Sequence, residues 1–402
     1  MKLVVKQCVC LFMFSLLSEA VLAKEKVLVV GAGIVGASIG YHLSLEEVEV
    51  TIIDMQSPAS HASLATFAWI NASWAKQPQA YHALNQQSVG YWHELSKQIG
   101  VPVKWGGSLE WFESSDRQEK LGLQVAEQID WGEAAEILPV VSAKMLEPNV
   151  TFMGADNVAY SANDGAVDPS QATKKLLSAA QTNGAKVIYP CKLNGIAKTL
   201  KGEIADTTCG PMPFDQIVLA VGAASKTIAN IAKLNIPQRS TPGIIVVTEP
   251  TEPLLNRIIV APGVHIHQRF DGRIVVGEQA GAPKTSAHNL RLKGRPNRYP
   301  SQVLAQDHAQ RVLDLAVKYV PRLTNVKADE ILIGWRPLPL DGHPVLGYSS
   351  EEPSVYIAVS HSGITLAPII GRLVAKELIE KRPLEVLNAY RPNRDFITVV
   401  RY

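Results

Sequence analysis

The chain has 402 residues, 47% of them hydrophobic and 19% charged, with a formal net charge of +2. That length exceeds one typical domain and suffices for a large buried core. The near-neutral balance, with no basic stripe and no interleaved aromatics, excludes an electrostatic case for nucleic acid. The sequence shows no internal repeat, low-complexity tract or long charge run.

The first residues differ from the rest. Met1–Lys6 is a short positive region and Gln7–Leu17 is almost wholly apolar. Val21 and Ala23 then offer small residues where a signal peptidase reads, so 1–23 is expected to be a cleaved secretory signal. An uncleaved membrane-associated anchor and a non-functional extension are the alternatives; the apolar run is short for a bilayer. No twin-arginine pair is present, so an exported chain would acquire a cofactor after crossing. Cys8 and Cys10 fall in this leader. Cys191 and Cys209 flank an expected hairpin and are read as two free buried thiols, with a single disulfide as the less favoured alternative. No cysteine spacing suits zinc, and no metal is expected.

Lys26–Val30 reads as an apolar strand, Gly31-Ala32-Gly33-Ile34-Val35-Gly36 as a glycine-rich turn opening a helix, and Thr51–Ile53 as a second strand ending at Asp54. That is a dinucleotide-binding βαβ unit. Gly31 permits the tight turn, Gly33 lets backbone approach a pyrophosphate, and Gly36 allows close helix–strand packing. The helix start aims N–H groups at phosphate. Asp54 lies 18 residues beyond Gly36, where a carboxylate accepts ribose hydroxyls and repels a 2′-phosphate. FAD or NAD therefore fits better than NADP, and this motif does not separate the two.

Further on, Ser57–Ser73 is small and hydroxyl-rich, suited to lying against a flat cofactor. A helix is predicted over Gln79–Ile99, and residues 100–160 alternate short strands with an acidic helix. Asp168 and Pro169 read as the cap and first turn of a helix reaching Asn183. Lys186–Tyr189 reads as a strand, followed by a hairpin. Gln216–Ala220 is a buried strand entering a turn at Gly222. Ile244–Thr248, His265–Arg269 and Arg273–Gly277 form a β pattern with Asp271-Gly272 as a turn. Residues 282–300 read as an exposed loop, Ser301–Val320 as a helix, Ile331–Gly334 and Val355–Val359 as strands, and Ala367–Glu380 as the last helix. Six of the tryptophans cluster early and read mostly as core, with Trp69 a candidate wall of the cofactor site.

These segments together resemble the D-amino-acid-oxidase-type family of FAD-dependent oxidoreductases, which includes glycine and sarcosine oxidases and D-amino-acid dehydrogenases. The carriers are Gly31–Gly36, Ser60–Asn71, Asp164–Pro169, Ala220–Ala223, Gly334–Gly347, Val359–Gly371 and Ala389–Phe396, nearly the whole chain from Lys26. The resemblance selects FAD over NAD. It implies an α/β fold: a Rossmann-like FAD-binding domain over 24–80, 160–240 and 330–402. An interleaved α+β substrate domain, on a mixed, mainly antiparallel sheet, is expected over 81–159 and 241–329.

By the same resemblance, Ser60, Ser63 and Thr66 lie beside the ribityl and flavin. Leu193 lies near the adenine and Gly222 near the diphosphate. His361, Ser362, Gly363, Ile364 and Thr365 face the pyrimidine edge of the flavin, where a helix N-terminus stabilises negative charge in the reduced ring. Arg336 matches the arginine that holds a substrate carboxylate, a task suited to a guanidinium fork. His265 and His267, two apart on a strand, share one face; His267 is a candidate pocket residue, and His361 a turn residue or proton carrier. Two positions depart from the family pattern: His61 stands where a small residue is usual, and Thr365 replaces a glycine. Thr66 stands where some relatives carry a flavin-linked histidine, so non-covalent FAD is expected, with His61 the alternative linkage.

The expected reaction is oxidation of the C–N bond of a small amino acid or secondary amine carboxylate, of D-amino acid, glycine or sarcosine type, by hydride transfer to flavin N5. Oxygen or a quinone is the expected electron acceptor, the expected location periplasmic or secreted. The rival readings are an NAD-dependent dehydrogenase and a flavin-binding module without its own turnover.

Overall fold

A computed structural model describes residues 24–74, 76–200, 202–278 and 296–398. The leader expected over 1–23, and most of the loop expected over 282–300, lie outside the described residues.

Among the described residues two large sheets carry the fold. The first has six strands in the order Val345–Tyr348, Val355–Val359, Gln216–Leu219, Glu25–Val30, Val48–Ile53, Lys186–Ile188. Neighbours run parallel except at the edge strand Val345–Tyr348. Gln216–Leu219 and Val355–Val359 are buried along their whole length, as continuous apolar strands covered on both faces must be. From Glu25–Val30 the chain passes through helix Ile34–Leu43 to Val48–Ile53, while Gln216–Leu219 flanks the other side. The strand order reverses there, and a doubly wound sheet takes its ligand in the crevice beyond the strand ends at such a point.

Helices Ile34–Leu43, Gln79–Ile99 and Gly363–Glu380 share one apolar core on this sheet. The last helix starts four residues before the predicted Ala367, because Pro368 lies inside it rather than at its first turn. A proline in a helix leaves the carbonyl four residues earlier without its usual donor. Here that carbonyl, Ile364 O, receives the Trp92 indole N–H at 3.0 Å. Ser88 Oγ donates to Thr365 O at 2.6 Å. A neighbouring helix thus supplies what Pro368 removes.

The second sheet has eight strands in the order Ala328–Pro339, Gln238–Pro250, Arg273–Glu278, Val264–Gln268, Ile258–Ala261, Ser108–Glu110, Asn157–Ser161, Ala135–Pro139. Its described pairs are antiparallel except Ile258–Ala261 with Ser108–Glu110. The mixed, mainly antiparallel sheet expected from the sequence is thus present. One face buries Leu109, Ile266 and Val276 against Val312, Leu313 and Ala316 of helix Gln302–Tyr319. Two segments cross the expected domain division. Helix Gln79–Ile99 belongs to the first core, because its apolar stripe packs on the Pro368 helix. Strand Ala328–Pro339 belongs to the second sheet, paired along most of Gln238–Pro250.

The reading of Cys191 and Cys209 as free thiols is overturned: they form a disulfide, with Cα atoms 5.6 Å apart. Leu193 pairs with Thr207 across the hairpin, so two residues further out the chains remain side by side within disulfide span. Closing a loop with a sequence separation of 18 is worth about 3 kcal/mol in the chain-entropy account. Replacing both cysteines by serine is expected to lower the denaturant midpoint accordingly, and dithiothreitol to affect the wild type alone. Equal midpoints for oxidised and reduced wild type would contradict this role.

Candidate active site

A cavity of about 1080 Å³ opens between the two sheets. Its floor is the carboxyl end of the first sheet. Gly31 turns the chain there with φ +112°, and a Cβ on Gly36 would lie 1.9 Å from Gly31 O. No larger residue fits at 36, so helix Ile34–Leu43 starts directly over the end of its strand. Asp54 closes the turn: its Oδ2 accepts Ala32 N–H at 2.7 Å and its Oδ1 accepts Gln56 N–H at 2.9 Å. Ser63 Oγ accepts the Ile34 N–H at 3.0 Å. That amide, expected to face phosphate, is therefore taken by the hydroxyl-rich segment folding over the helix start.

Of the residues read from the sequence as cofactor-binding, Gly31, Gly33, Ile34, Val35, Asp54, Ser60, Ser63, Thr66, Leu193, Gly222, His361, Ser362, Gly363, Ile364 and Thr365 line this cavity. Ala32 and Gly36 do not; they are buried beneath it and shape the turn. At the far side of the sheet the helix Gly363–Glu380 begins at the wall, and Tyr81 Oη donates to Ser362 Oγ at 3.2 Å. Thr365, at the position where the family pattern has glycine, donates from Oγ1 to Trp69 O at 3.1 Å and accepts from Asn71 N–H at 3.3 Å. Its hydroxyl ties the helix start to the hydroxyl-rich segment.

The second sheet roofs the cavity. Arg336 stands half-buried on strand Ala328–Pro339, and its Nη2 donates to Thr241 Oγ1 at 3.1 Å across the strand pair. His265 is also on the wall, and burial lowers its imidazole to about 4. His267, expected as a pocket residue, does not line this cavity. It shares a face with His265, but its ring packs edge-on against Phe67 with centroids 4.7 Å apart. Its Nε2 donates to Phe67 O at 2.8 Å, and burial lowers it to about 3. It is a neutral packing residue behind the wall.

Behind the stretch of wall that carries Trp69 and Ser73 lies a polar group that spacing did not reveal. Asp164, fully buried, accepts on Oδ2 from Trp69 Nε1 at 2.9 Å, Ser73 Oγ at 2.9 Å and Ser108 Oγ at 2.6 Å. Burial pushes its carboxyl up to about 6 against the pull of those donors. Glu110, only 7% exposed, lines the cavity and accepts from the Trp74 indole N–H. Ser108 and Glu110 alternate with core-facing Leu109 on one strand, a period-2 signal too short to recognise in three residues.

The chain matches the family model described as FAD dependent oxidoreductase over residues 26–377. It belongs to that family. Glycine oxidase of Geobacillus kaustophilus (strain HTA426) is 25% identical over 375 residues, covering 89% of this chain and 93% of that protein. A subunit of the opine oxidase of Agrobacterium tumefaciens (strain Ach5) is 24% identical over 379 residues, covering 91% and 96%. The fold matches the solved L-proline dehydrogenase from P. horikoshii with a TM-score of 0.80 at 22% identity, covering 92% of this chain and 97% of that one. Glycine oxidase from G. kaustophilus gives a TM-score of 0.80 at 23% identity, covering 92% and 99%. The chain is thus a FAD-dependent oxidoreductase, and the NAD-dependent reading is set aside.

The cavity of this FAD-dependent oxidoreductase fits its cofactor. The Gly31 and Gly33 backbone lies bare on the wall, and Ser360 Oγ, buried on the wall, has no hydrogen-bond partner among the described residues.

Glu110 gives a pH signature of its own. Burial, with the nearby Asp164 charge adding, raises its carboxyl from 4.5 to about 7 despite the Trp74 bond. The native state therefore holds this proton more tightly than the unfolded chain. Its contribution to stability is complete below about pH 4.5 and is lost as pH rises towards 7. Thermal unfolding between pH 5 and pH 8 is expected to show a falling Tm, with a shallower fall in Glu110→Gln. Parallel Tm curves for the two proteins would contradict this.

Proposed function

We propose that this oxidoreductase oxidises the C–N bond of an amino acid or secondary amine whose nitrogen neighbours a carboxylate. The placement of Arg336 carries the reading. A guanidinium on the wall of the FAD cavity, braced by Thr241, presents a fork that matches a carboxylate in two parallel hydrogen bonds. The names of its relatives, a glycine oxidase and an opine oxidase, agree with such a substrate.

Bound FAD supplies the acceptor for two electrons and a hydrogen. The protein's own share is positioning: Arg336 fixes the carboxylate, which directs the neighbouring C–H bond and the amine to one place in the cavity. His265, held neutral by burial, adds no charge to the cavity wall, and the amine reacts in its neutral form. The C–H bond breaks with its electron pair, and water hydrolyses the resulting imino acid. No base is needed at the α carbon. Among the proposed site residues, His361 stands half-buried on the wall at the start of the last helix and serves as a turn residue. FAD is held non-covalently in this reading: Thr66 offers no imidazole, and the His61 ring on the wall is exposed and paired with Ser60 Oγ at 3.1 Å.

The reading extends to the leader. A cleaved signal over 1–23 gives a periplasmic or secreted enzyme, or a membrane-associated one if the leader is retained. No helix of the described residues is long and apolar enough to cross a membrane. The final electron acceptor is oxygen or a quinone.

Replacing Arg336 tests the proposal. Arg336→Met is expected to lower kcat/KM by about 100-fold through loss of a charge-assisted pair, measured with an artificial electron acceptor. The flavin content should stay that of the wild type, and Arg336→Lys should recover part of the loss. Undiminished amine oxidation in Arg336→Met would assign carboxylate binding to another residue.

A further inference from the structure

Glu110 is a buried acid that neither the cofactor site nor the carboxylate grip uses. It stands on strand Ser108–Glu110, whose opposite face sends Leu109 into the apolar core. An apolar side chain would satisfy packing at 110, and burying a carboxyl instead costs free energy unless a partner compensates. The partner present is one N–H, from Trp74 to Oε2. Among the described residues Oε1 accepts no hydrogen bond, and Glu110 lines the cavity. The open oxygen therefore belongs to a side chain on the cavity wall.

The surrounding charges decide what that oxygen can hold. Asp164 is close enough to raise the Glu110 carboxyl further, and Arg117 lowers it more weakly. Lys76, on the same cavity wall, is turned onto Asn71, donating to its backbone oxygen at 2.8 Å and to its side-chain oxygen. Its field acts on Asp164. Two acids thus stand at or behind this stretch of wall while the nearby lysine is directed to the Asn71 oxygens. A cation placed beside Glu110 favours its ionised form and finds an acceptor in a low-dielectric site.

The sheet also sets the length of what is bound. Arg336 and Glu110 stand on the first and sixth strands of the roof and both line the cavity, so a substrate that reaches both must be extended.

We propose that Glu110 is a specificity-determining residue: its carboxylate receives an ammonium or guanidinium group carried on an extended arm of the substrate, while Arg336 holds the carboxylate at the other end. The substrate class is then a cationic amino acid, or a secondary amine with a basic N-substituent, rather than glycine. This inference rests on the function proposed above, which it makes narrower.

The test is binding to the FAD-loaded enzyme, read from perturbation of the flavin spectrum by ω-amino carboxylates of four to eight carbons and by the matching carboxylates without the amine. At the best chain length the amine is expected to tighten binding by about tenfold, the worth of a charged hydrogen bond. In Glu110→Gln that ratio should fall to within about twofold, and Glu110→Asp should keep part of it. Flavin absorbance reports that each variant folds and binds cofactor. A wild type that binds amine and non-amine probes alike at every length overturns the proposal, as does a Glu110→Gln protein that keeps the ratio. Discrimination by Glu110 with no flavin reduction by any amino acid would uphold the cation site and refute the oxidation reading instead.

Discussion

The contact of Gly36 with Gly31 sets the rest of the molecule. With a Cβ excluded at 1.9 Å from Gly31 O, the first helix can sit on the end of its own strand, and the turn between them lies open beneath the roof. Asp54 fixes that turn through Ala32, and Ser63 draws the hydroxyl-rich segment over the helix start. Once these three are in place, the cavity floor is determined. The same geometry explains why Ala32 and Gly36 belong to the site without lining it: they make the space rather than touch its contents.

The roof is tied down by buried polar bonds. Asp164 gathers hydrogen bonds from Trp69 and Ser73, on the cofactor side, and from Ser108 on the second sheet. A fully buried carboxylate with three donors on one oxygen holds both lobes to a common point, and low local dielectric makes each of those bonds costly to lose. At the other end, Arg336 and Thr241 join the two strands that form the roof's edge. Between the two anchors the roof presents Ile244, Ile245 and Val260 to the cavity, with His265 held neutral by burial. Such a chamber orients a substrate by its ends.

Much of this was legible in the sequence, and the limits were physical. The βαβ unit, helix Gln79–Ile99, the Asp168 cap and strand Val355–Val359 carry strong local signals, and the structure reproduces them. The expected start at Ala367 fell late, because Pro368 is accommodated inside the helix by Trp92, 272 residues before the carbonyl it serves. Local signals were silent for Cys191 and Cys209, whose pairing depends on hairpin register. His267 looked equivalent to His265 because both share a face; only the position of Phe67 separates the wall residue from the one behind it. Glu110 gave no signal, since three-residue strands lack the length to show alternation and its Trp74 partner is 36 residues away.

Anaerobic addition of amino acids to the purified FAD-loaded protein tests the central claim most directly. The panel should contain lysine and arginine in both configurations, proline, sarcosine and glycine, with the flavin band near about 450 nm followed in time. The account requires rapid bleaching by at least one amino acid, with the basic ones ahead of glycine. A protein whose bound flavin no member of the panel reduces would contradict the assignment of this cavity to amine oxidation.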